Sequence, residues 1–95
     1  MERAKATSRV FIDNARARVT EWRFAPGAAT GWHRHEHDYV VVPMLDGRLE
    51  LIEPDGARFS DLRKGVPYFR GAGVEHDVVN ANNFEYLFVE IEFKS

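Results

Sequence analysis

The chain contains no cysteine. That excludes disulfide staples, thiolate zinc sites and a cysteine nucleophile, and leaves nitrogen and oxygen as the donors for any metal. Long apolar runs are missing too. Nothing approaches the ~20 residues of a membrane-crossing helix, and Met1 to Ser8 hold no stretch resembling a secretory signal. A cytoplasmic protein that makes no membrane contact is the expectation. Nor is there an excess of positive charge: thirteen basic residues, scattered along the chain, face fifteen acidic ones for a formal net charge of -2. Binding to a nucleic-acid backbone is therefore disfavoured. No segment sustains a helical period, and there is no internal repeat or low-complexity tract.

What is present, 44% hydrophobic and 29% charged residues over 95 positions, is ordinary for one globular domain with a single core. Residues 1–95 read as one domain, with 1–8 a flexible polar tail. A chain this short buries a modest share of its surface and has strand edges to cover, so a homodimer is expected.

Short β-type runs at 9–13, 17–24, 32–35, 39–42, 48–53, 57–60, 66–70 and 75–80, then a final alternating run, are separated by turn residues at intervals of roughly ten. Asp46-Gly47 reads as a hairpin turn and Pro54-Asp55-Gly56 as another. In the final run Leu87, Val89, Ile91 and Phe93 alternate with Phe88, Glu90 and Glu92, giving one apolar and one mixed face. Many short antiparallel strands without helices predict an all-β sandwich or barrel, whose interior is just wide enough for side chains or one small ligand.

All four histidines fall in two short stretches, His33, His35 and His37 in the first and His76 in the second. Residues at i and i+2 on a strand share a face and lie roughly 6.6 Å apart along it, so His33 and His35 can converge on one ion. His37, roughly 13 Å from His33 on a straight strand, is too far and is expected at the surface. Arg34 points the other way from its neighbours and is assigned to the surface or a dimer contact.

Each stretch sits in a glycine frame. Gly27, His33, His35 and Gly47 form the first; Gly65, Gly73, His76 and Asn80 form the second, with 17 residues (48–64) between the two. These spacings resemble the two motifs of the cupin superfamily, and they cover more than half the chain. The resemblance implies a small antiparallel double-stranded β-helix, or jelly-roll barrel, with His33, His35 and His76 as ligands of a divalent transition metal. Iron, zinc, manganese, nickel and copper all accept imidazole donors.

The sequence departs from the motifs in two places. Gly71 stands where the second motif has proline, and the glutamate expected three or four residues after His35 is replaced by Tyr39 and Val40. The site thus resembles three-histidine cupins, with Glu36, Asp38 or the Tyr39 hydroxyl as the candidates to fill the gap. Tyr39 is also the candidate catalytic residue, a hydrogen-bond or proton donor to a bound intermediate. A trihistidine face keeps open positions and positive charge, which favours a small carboxylate-bearing metabolite. The readings that follow are a metal-dependent enzyme, most concretely a dioxygenase with isomerase or lyase chemistry as variants, or a non-catalytic module that binds a small molecule. The segments 22–27, 31–36 and 38–43 look like small single-domain cupins grouped with β-alanine degradation.

Overall fold

In a computed structural model, which describes residues 3–95, the chain forms nine strands: β1 (Thr7–Asp13), β2 (Ala17–Phe24), β3 (His33–Arg34), β4 (Asp38–Pro43), β5 (Gly47–Glu53), β6 (Gly56–Leu62), β7 (Tyr68–Arg70), β8 (Glu75–Asn80) and β9 (Tyr86–Phe93). They build a five-stranded sheet in the order β1-β2-β9-β4-β7 and a four-stranded sheet in the order β3-β8-β5-β6, with antiparallel pairing between neighbouring strands. The jelly-roll expected from the sequence is the fold observed. Among the described residues no helix is long and apolar enough to cross a membrane.

The core lies between the two sheets. Phe24, Tyr39, Val41, Tyr86 and Phe88 meet Leu49, Leu51 and Val78 across it, with the Phe24 and Phe88 rings 5.4 Å apart. Full burial of side chains of this size contributes roughly 1.5–3 kcal/mol each. Tyr86 satisfies its hydroxyl by donating to the Leu45 carbonyl at 2.7 Å, which spares that phenol the cost of an unpaired buried O–H.

Two sequence expectations are corrected. Asp46-Gly47 is not a hairpin turn, because β4 and β5 lie in different sheets and the segment between them crosses from one to the other. Gly47 serves close packing instead: a Cβ there would stand 2.7 Å from the Tyr86 ring. Asp46 accepts a hydrogen bond from the Lys64 amide at 2.8 Å and so ties the crossing down. Pro54-Asp55 does close a hairpin, with Glu53 paired to Gly56.

The polar tail is shorter than expected. Met1 and Glu2 lie outside the described residues, but Ala4 and Ala6 exchange backbone hydrogen bonds with Ala29, and Thr7 and Ser8 belong to β1. Backbone pairing holds this segment, with Ala6 packed against the core while every residue of β1 is exposed.

The structure also orients β9, whose mixed face points inward. Tyr86, Phe88 and Glu90 are buried, while Leu87, Val89 and Ile91 are half-buried on the outer face. The registers Ile12↔Val19, Val19↔Ile91, Val40↔Ile91 and Val40↔Phe69 therefore lay an apolar row across all five strands on the outside of the larger sheet.

Candidate metal centre

The site forms where β3 meets β8. His33 stands directly opposite His76 in the antiparallel register. The pairing extends past β3 through the His35 amide, which donates to Val74 O, and the Gly73 amide, which donates to His35 O, both at 2.8 Å. The approach to β3 is pinned to the same strand: the Gly31 amide donates to Asp77 Oδ1 at 3.0 Å, and the Val78 amide to Thr30 Oγ1 at 3.1 Å. Glycine suits position 31 because its φ of 86° is one that residues with a Cβ rarely adopt.

These backbone constraints bring three imidazoles together. His35 Nε2 lies 3.0 Å from His33 Nε2 and 3.1 Å from His76 Nε2. Two good hydrogen bonds do not account for both contacts, because one ring nitrogen holds either a single proton to donate or a single lone pair to accept with. A cation at the centre satisfies all three. Two donor atoms each ~2.1 Å from a common ion and at right angles are ~3.0 Å apart, so the spacing fits a metal's ligand face.

The protonation states agree. Burial, with His33 and Arg70 adding to it, pushes the His35 pKa down to about 4. Burial together with His33, His35 and Arg70 pushes His76 down to about 3. Both are therefore neutral near pH 7, as metal donation requires. His33 Nδ1 lies 2.8 Å from the Gly31 carbonyl, which can only accept, so that nitrogen carries the proton and Nε2 keeps its lone pair for the ion.

The sequence candidates for the missing glutamate fall elsewhere. Asp38 is exposed and accepts a hydrogen bond from the Ala72 amide at 2.8 Å. Glu36 is exposed on the wall of a cleft. The Tyr39 ring stacks on His35 with centroids 3.8 Å apart, and its hydroxyl is buried without a partner. Burial raises that phenol well above its usual pKa.

Sequence reasoning missed Glu90. It is 8% exposed, its Oε1 lies 3.9 Å from His35 Nε2, and it forms a second cluster of potential ligand atoms with His35 and Glu92. Burial, reinforced by Glu92, lifts its pKa to about 7. The signal was an acidic residue in a β9 row flanked by large aromatics, which marks an inward-facing carboxylate once the strand's inner face is known.

Two spaces adjoin the histidines. A cleft of about 420 Å³ opens to solvent between Arg18, Arg34, Glu36, His37, Glu90 and Glu92. Behind it, an enclosed cavity of about 20 Å³, lined in part by Tyr39, Tyr68, Arg70 and His76, reaches into the barrel. Trp22, Thr30, His33 and Glu90 border both. Arg34, expected to serve the surface, is exposed but lines the cleft, and His37 is half-buried on its wall rather than at the open surface. The ligand-accessible side of the trihistidine face is thus a basin with charges of both signs at its rim.

Residues 20–91 match the Cupin domain family. The chain is 59% identical over 92 residues to the β-alanine degradation protein BauB of Pseudomonas aeruginosa, with 97% of each covered. It is similar to the crystal structure of a cupin domain from Bordetella pertussis Tohama I, with TM-score 0.98, 56% identity, and 100% of this chain and 99% of that chain covered. The polyketide cyclase RemF of Streptomyces resistomycificus shares the fold at TM-score 0.74 and 24% identity, over 100% of this chain and 71% of that one.

Proposed function

The chain belongs to the cupin family, and on that premise we propose that it is a metal-dependent enzyme acting on a small carboxylate-bearing metabolite, most concretely an oxygenase. The observation that carries this reading is the convergence of His33, His35 and His76, with His33 and His35 lining an open cleft and His76 facing the inner cavity behind it. A cleft of about 420 Å³ suits a small metabolite and lies within the range of ligand sites. The likeness to a protein named for β-alanine degradation supports a substrate derived from a small amino acid.

When bound, a divalent transition metal supplies Lewis acidity and exchangeable positions for a chelating substrate and oxygen. The chain's own residues do the rest. The three imidazoles would hold the ion. Arg34, which makes no ion pair among the described residues, offers its guanidinium to the substrate carboxylate at the rim, whereas Arg18 is engaged by Asp13 at 3.3 Å. The stacked Tyr39 ring fixes the orientation of His35. Its hydroxyl serves as donor to a group small enough to enter the enclosed cavity, which has the volume of about one water.

Elemental analysis of the untagged protein, purified without chelator, against a His33→Ala/His35→Ala variant tests the metal. Oxygen uptake by the Fe(II)-loaded protein with small carboxylates, thiols and diketones tests the chemistry. Stoichiometric metal lost in the variant, with histidine-dependent oxygen uptake, is expected. Metal without oxygen uptake removes the oxygenase assignment, and no metal after reconstitution removes the enzyme.

We also propose that two copies pair through the outer face of the larger sheet. The strands of that sheet, seven, eight, eight, six and three residues long and ~4.8 Å apart, present about 500 Å², more than half of the ~800 Å² that each partner contributes to a stable interface. The apolar row on that face is self-complementary about a two-fold axis, with Ile12 50% and Phe69 62% exposed at its ends. Light scattering at micromolar concentration is expected to give a dimer mass for the wild type and a monomer mass for Ile12→Glu/Phe69→Glu. A monomeric wild type rules the pairing out.

A further inference from the structure

We propose that Glu90 is a fourth protein ligand of this centre, supplying from β9 the carboxylate that the segment after His35 lacks. The inference rests on the reading of His33, His35 and His76 as metal ligands. Glu90 pairs with Thr20 on one side and Val41 on the other, and all three are buried, so its side chain belongs to the inner face of the larger sheet. One step along β4 toward the site is Tyr39, whose ring lies against His35. The barrel therefore delivers a carboxylate to the histidines from the opposite sheet.

The surroundings of Glu90 fit a cation. Among the described residues its only ion-pair partner within 4.0 Å is His35, with no lysine or arginine. A carboxylate buried to this degree is costly unless a positive charge meets it. Its Oε1 to His35 Nε2 distance of 3.9 Å lies inside the ~4.2 Å that is the widest separation of two donors each ~2.1 Å from one ion. Glu90 clusters with His35 and Glu92 rather than with the full triad, so its carboxylate joins from the His35 side by turning about its own side-chain bonds.

The chemistry of the donor set supports the same assignment. Three neutral imidazoles leave a divalent ion with its full charge, and one carboxylate halves it. Glu90 also borders both the cleft and the inner cavity, so a donor there closes the barrel side of the coordination sphere and leaves the cleft side for a ligand.

The test is a cobalt(II) titration of metal-free wild type, Glu90→Gln, Glu90→Asp, Glu36→Gln and His76→Ala, followed by calorimetry and by the visible absorption bands of the bound ion. Glu90→Gln is expected to weaken binding by about tenfold or more and to shift the bands, with Glu90→Asp between it and the wild type and Glu36→Gln unchanged. Thermal melts of the metal-free variants show whether each is folded. Wild-type affinity and bands in both Glu90 variants overturn the assignment while leaving the triad intact. Cobalt ignored by the wild type and His76→Ala alike instead removes the trihistidine site itself.

Discussion

Asn80 gives the sharpest test of how this barrel is held together. It is 2% exposed, and its amide nitrogen donates to Phe84 O at 2.8 Å and to Phe24 O and Ala25 O at 3.2 Å. Its Oδ1 accepts from the Asn82 amide at 2.9 Å and from Asn82 Nδ2 at 2.8 Å. One side chain thus joins the end of β2, the end of β8 and the turn into β9. Asn80→Ala strands the Phe24 and Phe84 carbonyls and the Asn82 amide, while the half-buried Asn82 side chain keeps the Arg48 carbonyl as an acceptor at 2.9 Å. Three losses at about 1 kcal/mol each give roughly 3 kcal/mol, or a melting temperature lower by about 12–24 °C for a domain of this size. Asn80→Asp should do at least as much harm, since its carboxylate keeps the acceptors for Asn82 but aims oxygen at three carbonyl oxygens. The assay is thermal unfolding of metal-free protein by circular dichroism, with urea titration at constant temperature as a check. A fall of under about 4 °C for Asn80→Ala, or an Asp variant clearly more stable than the Ala variant, would falsify the reasoning.

The metal-free protein should lose stability on acidification. His35 and His76 have folded pKa values depressed to about 4 and 3, so their contribution is intact above the unfolded value of 6.5 and declines as pH falls below it. Glu90 acts in the opposite sense, since its raised pKa of about 7 favours the fold below 4.5 and loses that effect as pH rises. Two protons against one leave a net slope of about 1.4 kcal/mol per pH unit between those unfolded values, which calorimetry in chelator at several pH values will measure; a flat or rising melting temperature on acidification contradicts the assignment. Gly47→Ala should cost about 1–3 kcal/mol, because its Cβ meets the Tyr86 ring at 2.7 Å and that ring is fully buried. An unchanged urea midpoint would show that the ring can yield.

Much of this architecture was legible in the residues. β2 and β8 run over the spans that alternation and turn signals mark, and the triad was visible because His33 and His35 share a strand face while His76 closes a second glycine frame. What escaped depended on which strands are neighbours. Asp46-Gly47 looks locally like any hairpin, and nothing nearby in sequence reveals that β4 and β5 separate into different sheets. Glu90 was hidden for a related reason. Alternation divides β9 into two faces without saying which one turns inward, and here the apolar set of Leu87, Val89 and Ile91 lies outside while the carboxylate lies within. Residues 4–8 carried little burial signal, since main-chain pairing holds them and Ala6 alone among them packs against the core.

The strand order has a consequence for the folding reaction. β2 lies beside β9, with Ala17 registered against Phe93, and the imidazoles of the first stretch meet the third only through the β3–β8 pairing. Contacts this distant along the chain form only after large loops have closed, which makes folding slow and leaves strand edges exposed meanwhile. β3 has two residues, the fewest of any strand, and the hydrogen bonds that pin it and its flanks run to β8 and the turn before it, so the two imidazole-bearing stretches are joined along a single seam. A metal captured there would act as a late clasp, slowing unfolding rather than hastening assembly. Lifetime of the native state, more than its rate of formation, is then what metal supply controls.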